Sequence, residues 1–236
     1  MAPRLRRLPS LFVSWLVAQP GLLLLATFMI GLGFLLTEVV LRSDAILRAD
    51  ERFPEWLAGQ RTSFLTDLSY AGSLIGDAPI LVPLVLGVTL FLVLQSRWRS
   101  ASFVAQAGLV EFSCYALTTF FISRPRPDVV RLDEVNIHHS FPSGHVAAST
   151  AVYGAFALLL AAHFKALPLR VAIWTVAAAI PVVVALSRMY RGAHHPTDVA
   201  AGFLMGVGAI LVAVFAVRTA RAVAELRAEK KTETFA

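Results

Sequence analysis

The chain reads as an all-α, polytopic membrane protein, a six-transmembrane-helix bundle, and three observations predict this. Of its 236 residues 57% are hydrophobic and 15% charged, with a mean hydropathy of +0.70, far more apolar than a soluble domain of this length. The apolar residues gather in six runs, at about 20–41, 79–94, 101–122, 146–163, 171–187 and 199–217, and about 20 apolar residues cross the hydrocarbon core as a helix. The runs are continuous and rich in Leu, Ala and Val instead of alternating with a period of two. Their backbone hydrogen bonds therefore close within helices and not around a barrel. Residues 1–236 form one membrane domain, with a cytoplasmic segment at 1–19 and a basic cytoplasmic tail at 218–236.

The first run follows Arg4, Arg6 and Arg7 and starts like a signal peptide. It continues to Leu41 without a small-residue cleavage site, so it reads as a retained signal anchor. The net charge of +6 and pI near 10.1 do not point to nucleic acid, because the Lys and Arg residues lie in loops and tails and form no basic domain. Arg97, Arg99, Lys165, Arg170 and the tail residues Arg218, Arg221, Arg227, Lys230 and Lys231 fall on the side of the N-terminus. The short loops on that side carry no acids. The positive-inside bias then puts both termini in the cytoplasm of a cell-membrane protein and loops 42–78, 123–145 and 187–198 on the extracytoplasmic face.

The first of these loops mixes charges with Phe53, Trp56, Leu57, Phe64, Leu65 and Leu68 at roughly helical spacing, as in an interfacial amphipathic helix. It fits equally a cap over a site and a plain connector. The single cysteine, Cys114, lies in an apolar run and reads as packing. Glu111 in the third run suits either a functional carboxyl or a protonated structural one, and Glu38 at a span end reaches the interface. The aromatics at span ends are interface anchors. Gly202 and Gly206, four apart in the last run, allow close helix contact within the molecule.

The other two outward loops carry the chemistry. Arg124, Pro125, Arg126 and Pro127 end the third run, where proline stops a helix. Phe141, Pro142, Ser143, Gly144 and His145 open the fourth, with Ser143 as N-cap and Gly144 letting backbone approach an anion. A helix N-terminus offers unpaired N–H groups and a positive dipole end, which suit phosphate. Ser187, Arg188, Arg191, His194 and His195 join the last two runs, and Pro196, Thr197 and Asp198 begin the sixth. A carboxylate four residues after His194 lies near it on a helical turn and can accept its Nδ1 hydrogen bond, leaving Nε2 to attack phosphorus. His138, His139 and His195 read as surface or supporting groups.

These residues resemble the type 2 phosphatidic acid phosphatase and vanadium haloperoxidase superfamily over roughly residues 50–215. The family pattern is Lys-x6-Arg-Pro, Pro-Ser-Gly-His and Ser-Arg-x5-His-x3-Asp. The second and third elements match in full, and the first matches at Arg126 and Pro127. The resemblance implies that His194 is a nucleophile forming a phosphohistidine, that Asp198 orients it and that His145 protonates the leaving oxygen. Arg126, Ser143, Gly144 and Arg188 are then expected to bind the phosphoryl oxygens, with no metal and no other cofactor. Fixed guanidiniums supply the positioning and charge that phosphoryl transfer needs.

One departure stands out. Thr119 occupies the position of the family lysine, and the charge it lacks is expected from Arg124 or Arg191, unless Thr119 offers a hydroxyl alone. The expected activity is hydrolysis of a membrane lipid phosphate, either a monoester or a diphosphate, of the phosphatidate, phosphatidylglycerol phosphate, undecaprenyl diphosphate or lipid A class. The alternatives are a lipid phosphotransferase with the same intermediate and an impaired lipid-binding or transport protein. Six spans argue against a soluble haloperoxidase.

Overall fold

The computed structural model describes residues 8–133 and 139–233; Arg4, Arg6, Arg7 and His138 lie outside the described residues. All regular structure among them is helical: α1 (Leu8–Glu38), a short 3-10 turn (Val40–Arg42), α2 (Asp44–Gly59), α3 (Ser63–Leu74), α4 (Ala78–Leu94), α5 (Trp98–Phe121), α6 (Gly144–Ala161), α7 (Leu167–Tyr190) and α8 (Pro196–Glu233). Among the described residues five segments are long and apolar enough to cross a membrane: Leu11–Arg42, Ser63–Leu94, Gly144–Ala161, Leu167–Tyr190 and Pro196–Glu229.

The third of the six expected runs, in α5, is not one of the five, and its place in the bundle explains why. Its 24 residues rise about 36 Å, but it sits among other helices and turns polar groups toward them. Apolar side chains of α5 pack against α1, α4, α6 and α8, through Leu92, Ala101, Phe103, Val104, Ala155 and Ala213 at one end and Met29, Cys114, Ala147 and Met205 at the other. Ser102, Gln106, Glu111 and Thr118 are buried between them. The Gln106 amide donates to the hydroxyls of Ser14 on α1 and Ser102. A helix enclosed by protein can carry such groups because its neighbours, not lipid, receive them.

Both ends of the bundle extend further than the hydropathy pattern indicates. α1 begins at Leu8, since Leu11 to Ala18 is itself mostly apolar and Pro20 is accommodated within the helix. α8 runs past the expected span end at 217 without a break to Glu233. Ala, Arg, Glu and Lys are strong helix formers, and Arg221 pairs with Glu225 one turn on at 2.7 Å.

Loop 42–78 resolves into α2, a three-residue turn and α3. Phe53 and Leu57 turn inward onto Val146, Val184, Met189 and Val199, whereas Trp56, Phe64 and Leu68 stay exposed. α2 thus covers the ends of α6, α7 and α8 as a cap. Thr62 caps α3 by accepting from the Leu65 amide at 3.2 Å, and Asp77 caps α4 by accepting from the Ala78 amide at 2.8 Å.

Close approach of α8 to α6 fixes the register between two of the motif segments. A Cβ at Gly202 would lie 2.6 Å from the Ser143 carbonyl oxygen, and one at Gly206 would lie 2.6 Å from that of Ala147. Both glycines therefore serve packing inside one molecule. Gly206→Ala should lower the thermal midpoint in detergent by about 5 °C, the scale of roughly 1–3 kcal/mol of overpacking. Gly87→Ala, where a Cβ meets nothing within 4 Å, should leave the midpoint unchanged in the same thermal scan.

Candidate active site

The two outward motif loops and the start of α8 are tied together by backbone bonds before any side chain is considered. The Ser140 amide donates to the Arg124 carbonyl at 2.9 Å, the Ser143 amide to the Asp198 carbonyl at 3.0 Å and the Leu132 amide to the Arg191 carbonyl at 3.1 Å. Gly192, at φ +74°, reverses the chain after α7, where a side chain would strike Val129. Arg61 clamps the same turn, donating to the carbonyls of Tyr190 and Val130.

His194 is 4% exposed. Its Nδ1 lies 2.7 Å from the Ser140 carbonyl oxygen. A carbonyl only accepts, so Nδ1 carries the proton and Nε2 keeps its lone pair. The expectation that Asp198 takes this bond does not hold: its Oδ2 is 4.0 Å from Nδ1. The acceptor capacity of Asp198 is already used, by the His195 amide at 2.8 Å, by His195 Nδ1 at 3.1 Å and by Arg124. Asp198 is the third residue of α8 reaching back to the amide before the helix, the geometry of a capping box. It acts on His194 through its charge. Burial, followed by the positive charge of Arg188, holds the His194 imidazole well below its ordinary pKa and so neutral, against the opposing pull of Asp198.

Arg188 is also buried. Its Nη1 donates to Ser73 Oγ at 2.9 Å and Asp133 Oδ2 at 2.8 Å, while its buried Nε has no partner among the described residues. Arg126 donates to the Ala193 carbonyl. Burial and the nearby charge of Arg188 lower Arg126 to about 10, with Tyr115 and Asp198 acting the other way. Two guanidiniums that repel each other in a partly desolvated site favour an anion between them. The Ser143 hydroxyl is buried and unbonded among the described residues, and although Ser143 stands at the N-cap position of α6 its side chain makes no capping bond. His145 Nε2 lies 3.5 Å from Asp77 Oδ1. Gly144 has a packing reason as well: a Cβ there would lie 2.8 Å from the Tyr115 ring.

The supporting residues are placed differently from expectation. Arg124 is 3% exposed and shared among Asp50, Asp198 and the Thr197 hydroxyl. Arg191 binds Asp133 through Nε and Nη2, and also Ser69 Oγ and the carbonyls of Thr66 and Leu132. Both guanidiniums are committed to structural pairs, so neither stands in for the lysine absent at position 119. The Thr119 hydroxyl donates to the Tyr115 carbonyl at 2.9 Å, within its own helix. His139 bonds Ser123, and His195 sits between Asp198 and Glu51.

Sequence reasoning missed Asp50, Asp77, Asp133 and Ser140. Asp50 is the most consequential: it accepts from the Thr197 amide at 3.1 Å, the Thr197 hydroxyl at 2.6 Å and Arg124, tying the cap helix to the start of α8. On an amphipathic helix full of exposed charge nothing local marks it.

The site thus joins a neutral buried imidazole, a second imidazole, two guanidiniums and a helix N-terminus at one end of a membrane bundle. The chain belongs to the PAP2 superfamily, whose family model matches residues 99–222, and it is a membrane phosphatase of that family. It is 29% identical to phosphatidylglycerophosphatase B of Bacillus subtilis over 182 residues, 75% of this chain and 87% of that protein. Decaprenylphosphoryl-5-phosphoribose phosphatase of Mycobacterium tuberculosis is 37% identical over 125 residues, 50% of this chain and 63% of its own length. The crystal structure of a transmembrane PAP2-type phosphatidylglycerolphosphate phosphatase from Bacillus subtilis superposes with a TM-score of 0.67 at 26% identity, covering 78% of this chain and 92% of that one. Aquifex aeolicus LpxE shares the fold at a TM-score of 0.56 and 21% identity, over 72% and 95% of the two chains.

Arg124→Met would leave Asp50 and Asp198 buried side by side without their cation. Removing one partner of such a pair costs about 3–5 kcal/mol, so a fall in thermal midpoint of about 10 °C is expected. A shift of under 2 °C would show that the pair does not hold the site together.

Proposed function

We propose that this protein removes a phosphate group from a membrane lipid through a phosphohistidine at His194, at the extracytoplasmic face of the cell membrane with both termini cytoplasmic. The observation that carries the reading is the tautomer of His194. Its Nδ1–H is spent on the Ser140 carbonyl, so Nε2 offers a lone pair beside Arg126 and Arg188, whose charges both act on this ring.

In this reading the phosphoryl oxygens lie between Arg126 and Arg188, at the unbonded Ser143 hydroxyl and the amides at the start of α6. Nε2 of His194 forms a bond to phosphorus as the bond to the lipid oxygen breaks, and His145 gives that oxygen a proton. Water then attacks phosphorus, His145 takes the proton back, and phosphate leaves with Nε2 restored. The positive charge comes from guanidiniums and a helix N-terminus, so the reading calls on no metal or other cofactor. Asp77 Oδ1, 3.5 Å from His145 Nε2, is placed to orient that ring for the first step. The whole chain acts as one membrane domain in this account, with the lipid tails remaining in the bilayer.

Both named relatives act on phosphate carried by a lipid, which favours phosphatidylglycerol phosphate and polyprenyl-linked phosphates ahead of the wider class with phosphatidate and undecaprenyl diphosphate. The positive-inside bias supports the orientation. Phosphate release by the purified protein from phosphatidylglycerol phosphate, phosphatidate and undecaprenyl diphosphate tests the activity. At least one substrate should be turned over, and His194→Ala should reduce that rate by a thousandfold or more. Release that survives in His194→Ala would remove the mechanism. A protein that moves lipid across vesicles but frees no phosphate from any of the three would be a transporter.

A further inference from the structure

The lysine absent at position 119 leaves a gap in the donor set that neither Arg124 nor Arg191 fills. The same face of α5 offers another group one turn earlier, because residues four apart lie above one another on a helix. That residue is Tyr115, whose carbonyl receives the Thr119 hydroxyl.

Its ring lies against the start of α6, and two further features support a role there. Ring atoms Cε2 and Cζ would lie 2.8 and 2.9 Å from a Cβ on Gly144, so the carbon bearing the hydroxyl abuts the first residue of α6, where backbone N–H groups have no intrahelical partner. Tyr115 is among the groups acting electrostatically on Arg126, and Arg188 acts on Tyr115 in turn. The ring is also held in place, packed on the cluster formed by Cys114, Phe141, Ala147, Ala201 and Met205.

The hydroxyl itself makes no hydrogen bond to any described residue. A half-buried phenol usually finds a partner for its O–H. One that packs its ring against the start of α6 and leaves its donor unused is preorganised for an oxygen that arrives with a ligand.

We propose that the Tyr115 hydroxyl donates to a non-bridging phosphoryl oxygen of the substrate, a neutral donor serving where the family pattern has a lysine. The inference rests on the reading that the phosphoryl group sits between Arg126 and Arg188 at the start of α6. It assigns the pocket two fixed positive charges and one uncharged donor.

Tyr115→Phe keeps the ring and its packing and removes only the hydroxyl. The test compares wild type, Tyr115→Phe and His194→Ala in kcat/KM for the lipid phosphate found active, affinity for orthovanadate as a phosphate mimic, and thermal midpoint. A hydrogen bond to a charged oxygen corresponds to about a ten- to hundredfold effect. Tyr115→Phe should therefore lose at least tenfold in kcat/KM and in vanadate affinity, with a midpoint within 2 °C of wild type. Values within twofold of wild type for both, with His194→Ala inactive, would overturn the role of Tyr115 alone. A midpoint lowered by more than 5 °C alongside the lost activity would also overturn it, in favour of packing. Activity that persists in His194→Ala would instead count against the underlying mechanism.

Discussion

The charge on Asp198 organises this site. It is fully buried at the start of α8, where it closes the helix onto the His195 amide, accepts from the His195 ring and pairs with Arg124. Arg124 passes that link to Asp50 on the cap helix, and Asp50 returns it to α8 through Thr197. One cation and two anions out of water are costly unless every lone pair and proton is used. Here the carboxylates accept from guanidinium, amide, hydroxyl and imidazole donors, so the motif loops, the cap helix and α8 are tied into one unit. His194 inherits its position from that unit.

The groups assigned to the proposed reaction follow the opposite logic, of valences left open. His194 spends one nitrogen on a backbone carbonyl and keeps the other. Among the described residues Arg188 uses Nη1 on Ser73 and Asp133 and leaves Nε unpaired, and the Ser143 hydroxyl is buried with no partner. Unsatisfied buried polar groups are rare because each costs about 1–3 kcal/mol. In the proposed reaction these groups would meet the phosphoryl oxygens.

Much of the fold was legible because the bilayer limits the choices. Continuous apolar runs must be helices, and prolines at 127 and 196 and the glycine at 144 mark where they stop or start. The motif spacing was equally informative: it selected Arg126, Ser143, Gly144, His145, Arg188 and His194, which the fold brings to one end of the bundle. The run expected at 101–122 forms as α5, but its polar side chains face neighbouring helices, and α8 runs beyond its expected end because its charged extension is helical by propensity and ion pairing. Periodicity could place Asp50 on a helix face but not name a partner 147 positions away. The same limit hid the commitment of Arg124 and Arg191 to carboxylates, and the bond from His194 to the Ser140 carbonyl.

The central claim is a covalent one, and trapping the intermediate tests it most directly. The purified protein would be mixed with phosphatidylglycerol phosphate, or whichever lipid phosphate it hydrolyses, labelled in its terminal phosphate, and quenched with alkali in the first turnover. The account predicts label that is stable to base, labile to acid and confined to the peptide carrying His194, disappearing as free phosphate accumulates. Label on another residue, or turnover at full rate with none on the protein at any time in the first cycle, would contradict it.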